Sequence, residues 1–351
     1  MRSFSSDVSG LASRLYARRV LLAVVATLMA TAATAQTTTP PEKPALHLGS
    51  TPWTPFTNEA GKPRFAIDLV QAALKRMGIT VETTVVPEGT LTGALLEGKF
   101  DGSPALWRDK DREDKLIYSK PYLENRLVLV ARKGFDVSAP ALPALAGRRI
   151  ALVDGYAYGD ALKVPKGPDY VTARSVEESL QMVLDSKADY TLMDDLVVQY
   201  LLTNYPEQVK TRLAIGTEPL LTRTLHFALR RDVRAAQSVV DRFDAEVIKM
   251  IADRSYHRLL QVGWIQADID GDGRMELVPA TDQAGQEAPV RRYELVTVTA
   301  NPAKPSPGPK RFFLGGKVYD DWGSVPERYK VLDANKTPWG SQSAPIFSFK
   351  W

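Results

Sequence analysis

"FAIDLVQAALKRMG", residues 65–78, runs directly into "ITVETTVVP", residues 79–87, and this change of period decides the architecture. Phe65, Leu69, Ala72, Ala73 and Met77 recur at helical spacing, so the first stretch presents one apolar face, and Gly78 supplies its stop. The second stretch is strand-like. Working outward, "ALHLGSTPWTPF" (45–56) reads as a short strand that breaks at two prolines into a loop. A second cycle follows. "RRIALVDG" (148–155) has strand character, "SVEESLQMVL" (175–184) opens with Ser175 and Glu178 in capping-box spacing, and "ADYTLMDD" (188–195) is a buried strand with acids at its end. Alternating strand and helix argues for a mainly parallel α/β sheet, whose ligands sit at the carboxyl ends of strands. "RLVLVARK" (126–133) and "TLHFALRR" (224–231) bracket the second cycle, and the amphipathic stretch Val239 to Leu260 falls outside it. That layout predicts two lobes joined by two crossing strands.

Composition narrows the function. The 351 residues, 44% hydrophobic and 25% charged, suffice for more than one core. Arg14, Arg18 and Arg19 precede the apolar run Val20 to Ala33, and Ala33-Thr34-Ala35 offers small residues where a signal peptidase cuts. Residues 1–35 therefore read as a cleaved export signal, its run short of the roughly 20 apolar residues a spanning helix needs. Its removal lowers the net charge from +4 to +1, which leaves no sustained basic face for nucleic acid. The absence of cysteine excludes disulfides, thiolate metal sites and cysteine nucleophiles. Together these readings predict a soluble, monomeric protein of the periplasm.

From Leu46 to about Trp264 the chain resembles the family 3 periplasmic solute-binding proteins, the amino-acid receptors of ABC importers. The resemblance is carried by "PWTPFTNEAGKPRFAIDLVQAALKRMG", "ALLEGKFDG", "REDKLIYSKPYLENRLVLVARKG", "LAGRRIALVDG", "ADYTLMDD" and "IKMIADRSYHRLLQVGW", in that order. It implies a two-lobed periplasmic binding protein type II fold with two hinge strands, here with a small C-terminal β-rich extension. The parts would be a signal at 1–35, a linker at 36–44, lobe 1 at 45–131, lobe 2 at 132–224, and the lobe 1 return at 225–265. A calcium-loop segment at 266–300 and a linker with a hairpin module at 301–351 complete the chain.

The resemblance also implies site residues. An arginine ten residues before the Pro-Tyr tyrosine binds the ligand's α-carboxylate in the family, which points to Arg112, with Arg108 as the competitor and a pairing with Asp109 or Glu113 as the plain alternative. The strand-end acid that receives an α-ammonium matches Asp194, for which a helix N-cap is the plain alternative. Tyr156 and Ala157 fall in a strand-to-helix turn whose amides grip the carboxylate. Trp53 and Phe56 match an aromatic wall, and core packing competes for Phe56. Glu88 stands at a second wall position, where a carboxylate favours a cationic ligand. "PALW", ending in Trp107, replaces the small hydroxyl or glycine residues usual before the arginine, which argues against a standard α-amino acid.

Three further motifs stand outside the ligand residues. "GALLEGKF" (93–100) has Walker-type spacing but places Phe100 where a hydroxyl must meet magnesium. His47, His226 and His257 show no ligand spacing. "DIDGDGRMELVP" (268–279) puts Asp268, Asp270 and Asp272 at loop positions one, three and five, and Pro279 where an EF-hand has its glutamate. It resembles the short calcium loops of exported repeat proteins, with Glu276 and the Arg274 carbonyl completing a structural calcium shell. The leading function is thus capture of a small carboxylate-bearing solute for a membrane permease, without catalysis. The alternatives are a cyclohexadienyl dehydratase-like enzyme, whose acid would fall at Val197, and a sensor or scaffold that uses the tail as its docking element.

Overall fold

The computed structural model describes residues 46–285, 287, 295–298, 310–331 and 350. The expected signal and the linkers at 36–44 and 301–309 lie outside the described residues. Strand β1 (Leu46–Ser50) lies parallel to β2 (Val81–Val85), with Leu46 opposite Val81, and helix α1 (Phe65–Arg76) connects them. The helix buries Ala66, Ile67, Leu69, Val70, Ala73 and Leu74, while Phe65, Ala72 and Met77 sit at the edges of the core. Its apolar stripe is wider than the heptad-like spacing predicts because it is packed on the sheet and also on two later helices. Gly78, at φ +75°, takes the left-handed turn that lets the chain reverse into β2.

Helix α2 (Leu91–Leu96) leads to β3 (Gly102–Trp107), buried throughout, then β4 (Leu116–Tyr118) and β5 (Leu123–Arg132). The second cycle comprises β6 (Arg149–Val153), β7 (Asp169–Ala173), α3 (Val176–Leu184), β8 (Tyr190–Asp194) and α4 (Asp195–Asn204). Ser175 caps α3 by accepting from the Glu178 amide, but the Glu178 carboxylate reaches back to the Arg174 amide rather than to Ser175 itself. Helix α5 (Pro206–Arg212) precedes β9 (Leu213–Arg230). All these strands form one sheet in the order β2-β1-β3-β9-β5-β8-β6-β7, with β4 also paired to β9.

The antiparallel pair β5 and β9 is the double crossing between the lobes. It runs from Leu123 opposite Leu225 to Arg132 opposite Leu213, well beyond the segment that the sequence pattern marks at 224–231. Pro219 hides the first half of β9 in the sequence. The strand accommodates it opposite Val128, where the register shifts and a proline needs no ladder hydrogen bond.

The amphipathic stretch 239–260 is two helices, α6 (Ala236–Ala252) and α7 (Ser255–Leu260), divided at Arg254 with φ +67°. The buried Arg254 guanidinium donates to the Ile251 and Ala252 carbonyls at the end of α6, and also to Phe313 O and Asp282. These last two belong to the tail. Its strands β10 (Trp264–Ala267), β11 (Glu276–Pro279), β12 (Leu295–Thr297), β13 (Arg311–Leu314) and β14 (Lys317–Tyr319) form a second sheet in the order β12-β10-β11-β13-β14. Gly315 and Gly316, at φ +55° and +75°, make the predicted two-residue hairpin turn. The tail docks on the body: Val278, Val298 and Phe313 join the main core, and His257, buried, donates to the Val278 carbonyl. Among the described residues no helix is long and apolar enough to cross a membrane.

Replacing Arg254 with alanine leaves the carbonyls of a helix end and the tail without their shared donor. Urea unfolding should report a loss of about 3 kcal/mol, the scale for breaking a buried charge network. A loss below about 1 kcal/mol would mean that the apolar strands alone dock the tail.

Candidate ligand-binding cleft

The carboxyl ends of β1, β3 and β6 converge on a cavity of about 110 Å³. Its wall includes Ser50 and Trp53 after β1, Glu88 and Thr92 around the start of α2, Trp107 at the end of β3, Arg112, and Asp154 to Ala157 after β6. Of the eight residues that the sequence nominates for the ligand, Trp53, Glu88, Trp107, Arg112, Tyr156 and Ala157 therefore share one cavity. Phe56 and Asp194 do not line it. Phe56 is fully buried behind Trp53, ring to ring at 4.5 Å, which makes it core.

Three aromatic residues form a cluster between the two lobes. Trp107 stands edge-on to Trp53 at 5.5 Å and to Tyr156 at 5.4 Å, and Trp53 meets Tyr156 at 5.5 Å. Trp107 also packs on Tyr158, whose hydroxyl accepts from the Val153 amide. The Trp107 indole donates to Asn125 Oδ1 at 2.8 Å, and Asn125 Nδ2 donates to Asp194 Oδ2 at 2.8 Å. The other Asp194 oxygen accepts from the Leu196 amide and caps α4. Asp194 thus acts as a cap and as the end of a buried relay, behind the indole that occupies the space in front of it. Burial raises its carboxyl to about 7 despite those hydrogen bonds, and burial with the neighbouring Asp194 charge pushes Asp195 well above the usual range. Arg126 lies 3.8 Å from Asp195 and partly compensates the pair.

Arg112, with its side chain 11% exposed, lies in the cavity wall on a one-turn helix at Lys110–Arg112. Asp109 caps that turn and accepts from Arg112 Nε at 3.1 Å and Nη2 at 2.9 Å, while Thr92 accepts from Nη1 at 3.4 Å. The plain alternative is realised: Asp109 holds the guanidinium, and two of its five N–H donors have no partner among the described residues. Arg108 instead points into solvent and pairs with Glu113. The turn after β6 departs from expectation, since only a short 3₁₀ turn, Asp160–Leu162, follows it and no helix N-terminus supports an anion there.

Sequence reasoning missed Asn125 and Arg223. Arg223 donates to the Arg108 carbonyl and lies over the Trp107 ring at 5.9 Å. Only the pairing of distant strands brings these together, so no local spacing signals them.

Residues 46–266 match the family described as bacterial extracellular solute-binding proteins, family 3. The chain belongs to that family. It is 24% identical over 207 residues to the L-cystine-binding protein TcyA of Bacillus subtilis, covering 58% of this chain and 73% of the relative. It is 33% identical over 118 residues to the virulence sensor protein BvgS of Bordetella bronchiseptica, covering 33% of this chain but only 9% of that much longer protein. An ancestral arginine-binding protein, solved bound to arginine, superposes with a TM-score of 0.52 at 23% identity over 62% of this chain and 96% of that one. That likeness establishes the two-lobed fold.

The family match ends at the tail's acidic loop. There Asp268, Asp270 and Glu276 bring carboxylate oxygens within 4.8 Å of one another. Asp272 is turned elsewhere, accepting from the Arg274 amide and side chain and from Arg311. Arg311, buried on β13, also pairs with Asp270 at 3.1 Å and with the fully buried Glu276.

The raised carboxyls of Asp194 and Asp195 have a consequence for stability. A folded-state pKa above the unfolded value of about 3.9 means that this pair favours folding most at low pH and progressively less as pH rises toward about 7. Melting curves should show Asp195→Asn gaining on the unmodified protein between pH 5 and pH 8. A constant offset between the two would show that the pair is already ionised in the folded protein across that window.

Proposed function

We propose that this family 3 protein is a periplasmic receptor that closes its lobes on a small carboxylate-bearing solute and passes it to a membrane permease. One observation carries the reading: Arg112 is fixed by Asp109 and Thr92 in the wall of a cleft cavity, with two donors unpartnered among the described residues. A carboxylate placed there meets donors that need no reorganisation, and charge-assisted bonds to a planar guanidinium are strong ones. Trp53 and Trp107 from one lobe and Tyr156 from the other supply the apolar walls, so ligand contact and lobe closure are the same event.

The reading is non-catalytic. Val197, at the position where a dehydratase of this fold would carry its acid, is an apolar side chain buried in α4. A second reading, that closure is sensed rather than used for import, is favoured by the similarity to BvgS and by the tail, a surface beyond the family-matched residues. Native mass spectrometry of the undialysed protein would reveal a retained ligand. Calorimetry with it should then show Arg112→Ala weakening binding by about 2 to 5 kcal/mol. Arg112→Lys should rescue only partly, since a point charge lacks the planar fork. Arg108→Ala should cost no more than about 1 kcal/mol, as an exposed pair does. Normal binding by Arg112→Ala would remove the carboxylate anchor.

For the tail loop we propose structural calcium at Asp268, Asp270 and Glu276, beside Arg311 and with the same purpose of offsetting four clustered carboxylates. Calcium should raise the melting temperature, because a ligand of the folded state alone stabilises it, and Asp270→Ala should abolish the rise. Identical melting in calcium and in chelator would leave Arg311 and Arg274 as the loop's counter-charges among the described residues.

A further inference from the structure

Two buried polar atoms in the cavity wall have no hydrogen-bond partner among the described residues: Glu88 Oε1 and the Tyr156 hydroxyl. They come from different lobes and act on one another electrostatically. A buried carboxylate oxygen without a donor is costly, so a site that keeps one is built for a donor that arrives with the ligand. Among the described residues no cation pairs with Glu88; the charge that acts on it is that of another carboxylate, Glu177 of α3. The other charged groups of the wall are Arg112, held by Asp109, and Asp154. Meanwhile Asp194, the acid that resemblance to the family assigns to an α-ammonium, has both oxygens committed and lies outside the cavity.

We infer that Glu88 and the Tyr156 hydroxyl seat the cationic end of the ligand, which is a small carboxylate whose positive charge lies away from its α-carbon. This rests on Arg112 as the carboxylate anchor. A primary ammonium supplies three donors, enough for the Glu88 oxygen and for a lone pair of the phenol, and the faces of Trp53 and Trp107 favour a cation beside them. Burial holds the Glu88 carboxyl at about 7, so a cation that arrives above that pH finds it ionised, and one that arrives below must first displace a proton.

Titration calorimetry on the purified chain with four five-carbon probes tests this: 5-aminopentanoate, its isomer L-2-aminopentanoate, pentanoate and pentylamine. We expect 5-aminopentanoate to bind at least tenfold more tightly than the other three, with affinity rising severalfold from pH 6 to pH 8. Glu88→Gln should erase the preference over pentanoate and flatten the pH dependence, and Tyr156→Phe should reduce that preference; circular dichroism checks the folding of both. Equal or tighter binding of L-2-aminopentanoate or pentanoate, or a preference that survives in Glu88→Gln, overturns the inference and leaves the Arg112 anchor standing. Pentylamine that binds as well as 5-aminopentanoate in a Glu88-dependent way keeps the cation seat and removes the anchor. Binding by none of the four overturns both.

Discussion

The antiparallel pairing of β5 with β9 is the constraint on which the rest of the protein depends. It turns two lobes into halves of one sheet, and its register places the chemistry. Asn125 lies opposite Arg223, and Leu127 lies between Leu221 on one side and Asp194 on the other. Trp107 is paired with Leu225 on the far side of β9. With that register, Asn125 falls between the indole of one lobe and the strand-end acid of the other, and the hydrogen-bond relay crosses the sheet. A slip of one residue would turn Asn125 to the opposite face and leave both Trp107 and Asp194 without the group they share.

Around that axis, desolvation is the dominant effect. The bulk of Trp53, Trp107 and Tyr156 excludes water from the strand ends, and the same exclusion raises Asp194 and Glu88 and strengthens any contact that a ligand makes with Arg112. The two carboxylates answer the pressure differently. Asp194 is satisfied internally by an amide and an asparagine, whereas Glu88 keeps an oxygen without a partner. Internal satisfaction makes a structural residue, and an open valence at a cavity wall makes a recognition residue.

Two buried arginines order the tail, one by tying it to the body and the other by tying its strands to its acidic loop. Arg254 reaches from the break between α6 and α7 to a carbonyl of β13, and Arg311 reaches from β13 into the acidic loop that follows β10. Each guanidinium gathers several acceptors, helix-end carbonyls in one case and clustered carboxylates in the other. Apolar contact through Val298 and Phe313 supplies area, and these directional bonds fix how the tail sits.

Much of this was legible in the chain. Helical spacing over 65–77, the stop at Gly78, the strand-end acids of "ADYTLMDD" and the paired glycines of the hairpin are local signals, because backbone period and turn conformation are set within a few residues. Arg112, Glu88 and the two tryptophans could be nominated from the resemblance to the family. Three things could not. The first half of β9 was hidden by Pro219, whose cost disappears only where its partner strand shifts register. The break at Arg254 exists because acceptors from a distant hairpin complete its shell. Asp194, alike in sequence to a ligand acid, was withdrawn from the cavity by Trp107 and Asn125, which lie far from it along the chain. The sequence by itself settled which residues carry charge and where the chain turns; the tertiary structure decided which charges stay open to a ligand, because burial and hydrogen-bond satisfaction come from neighbours that local sequence does not specify.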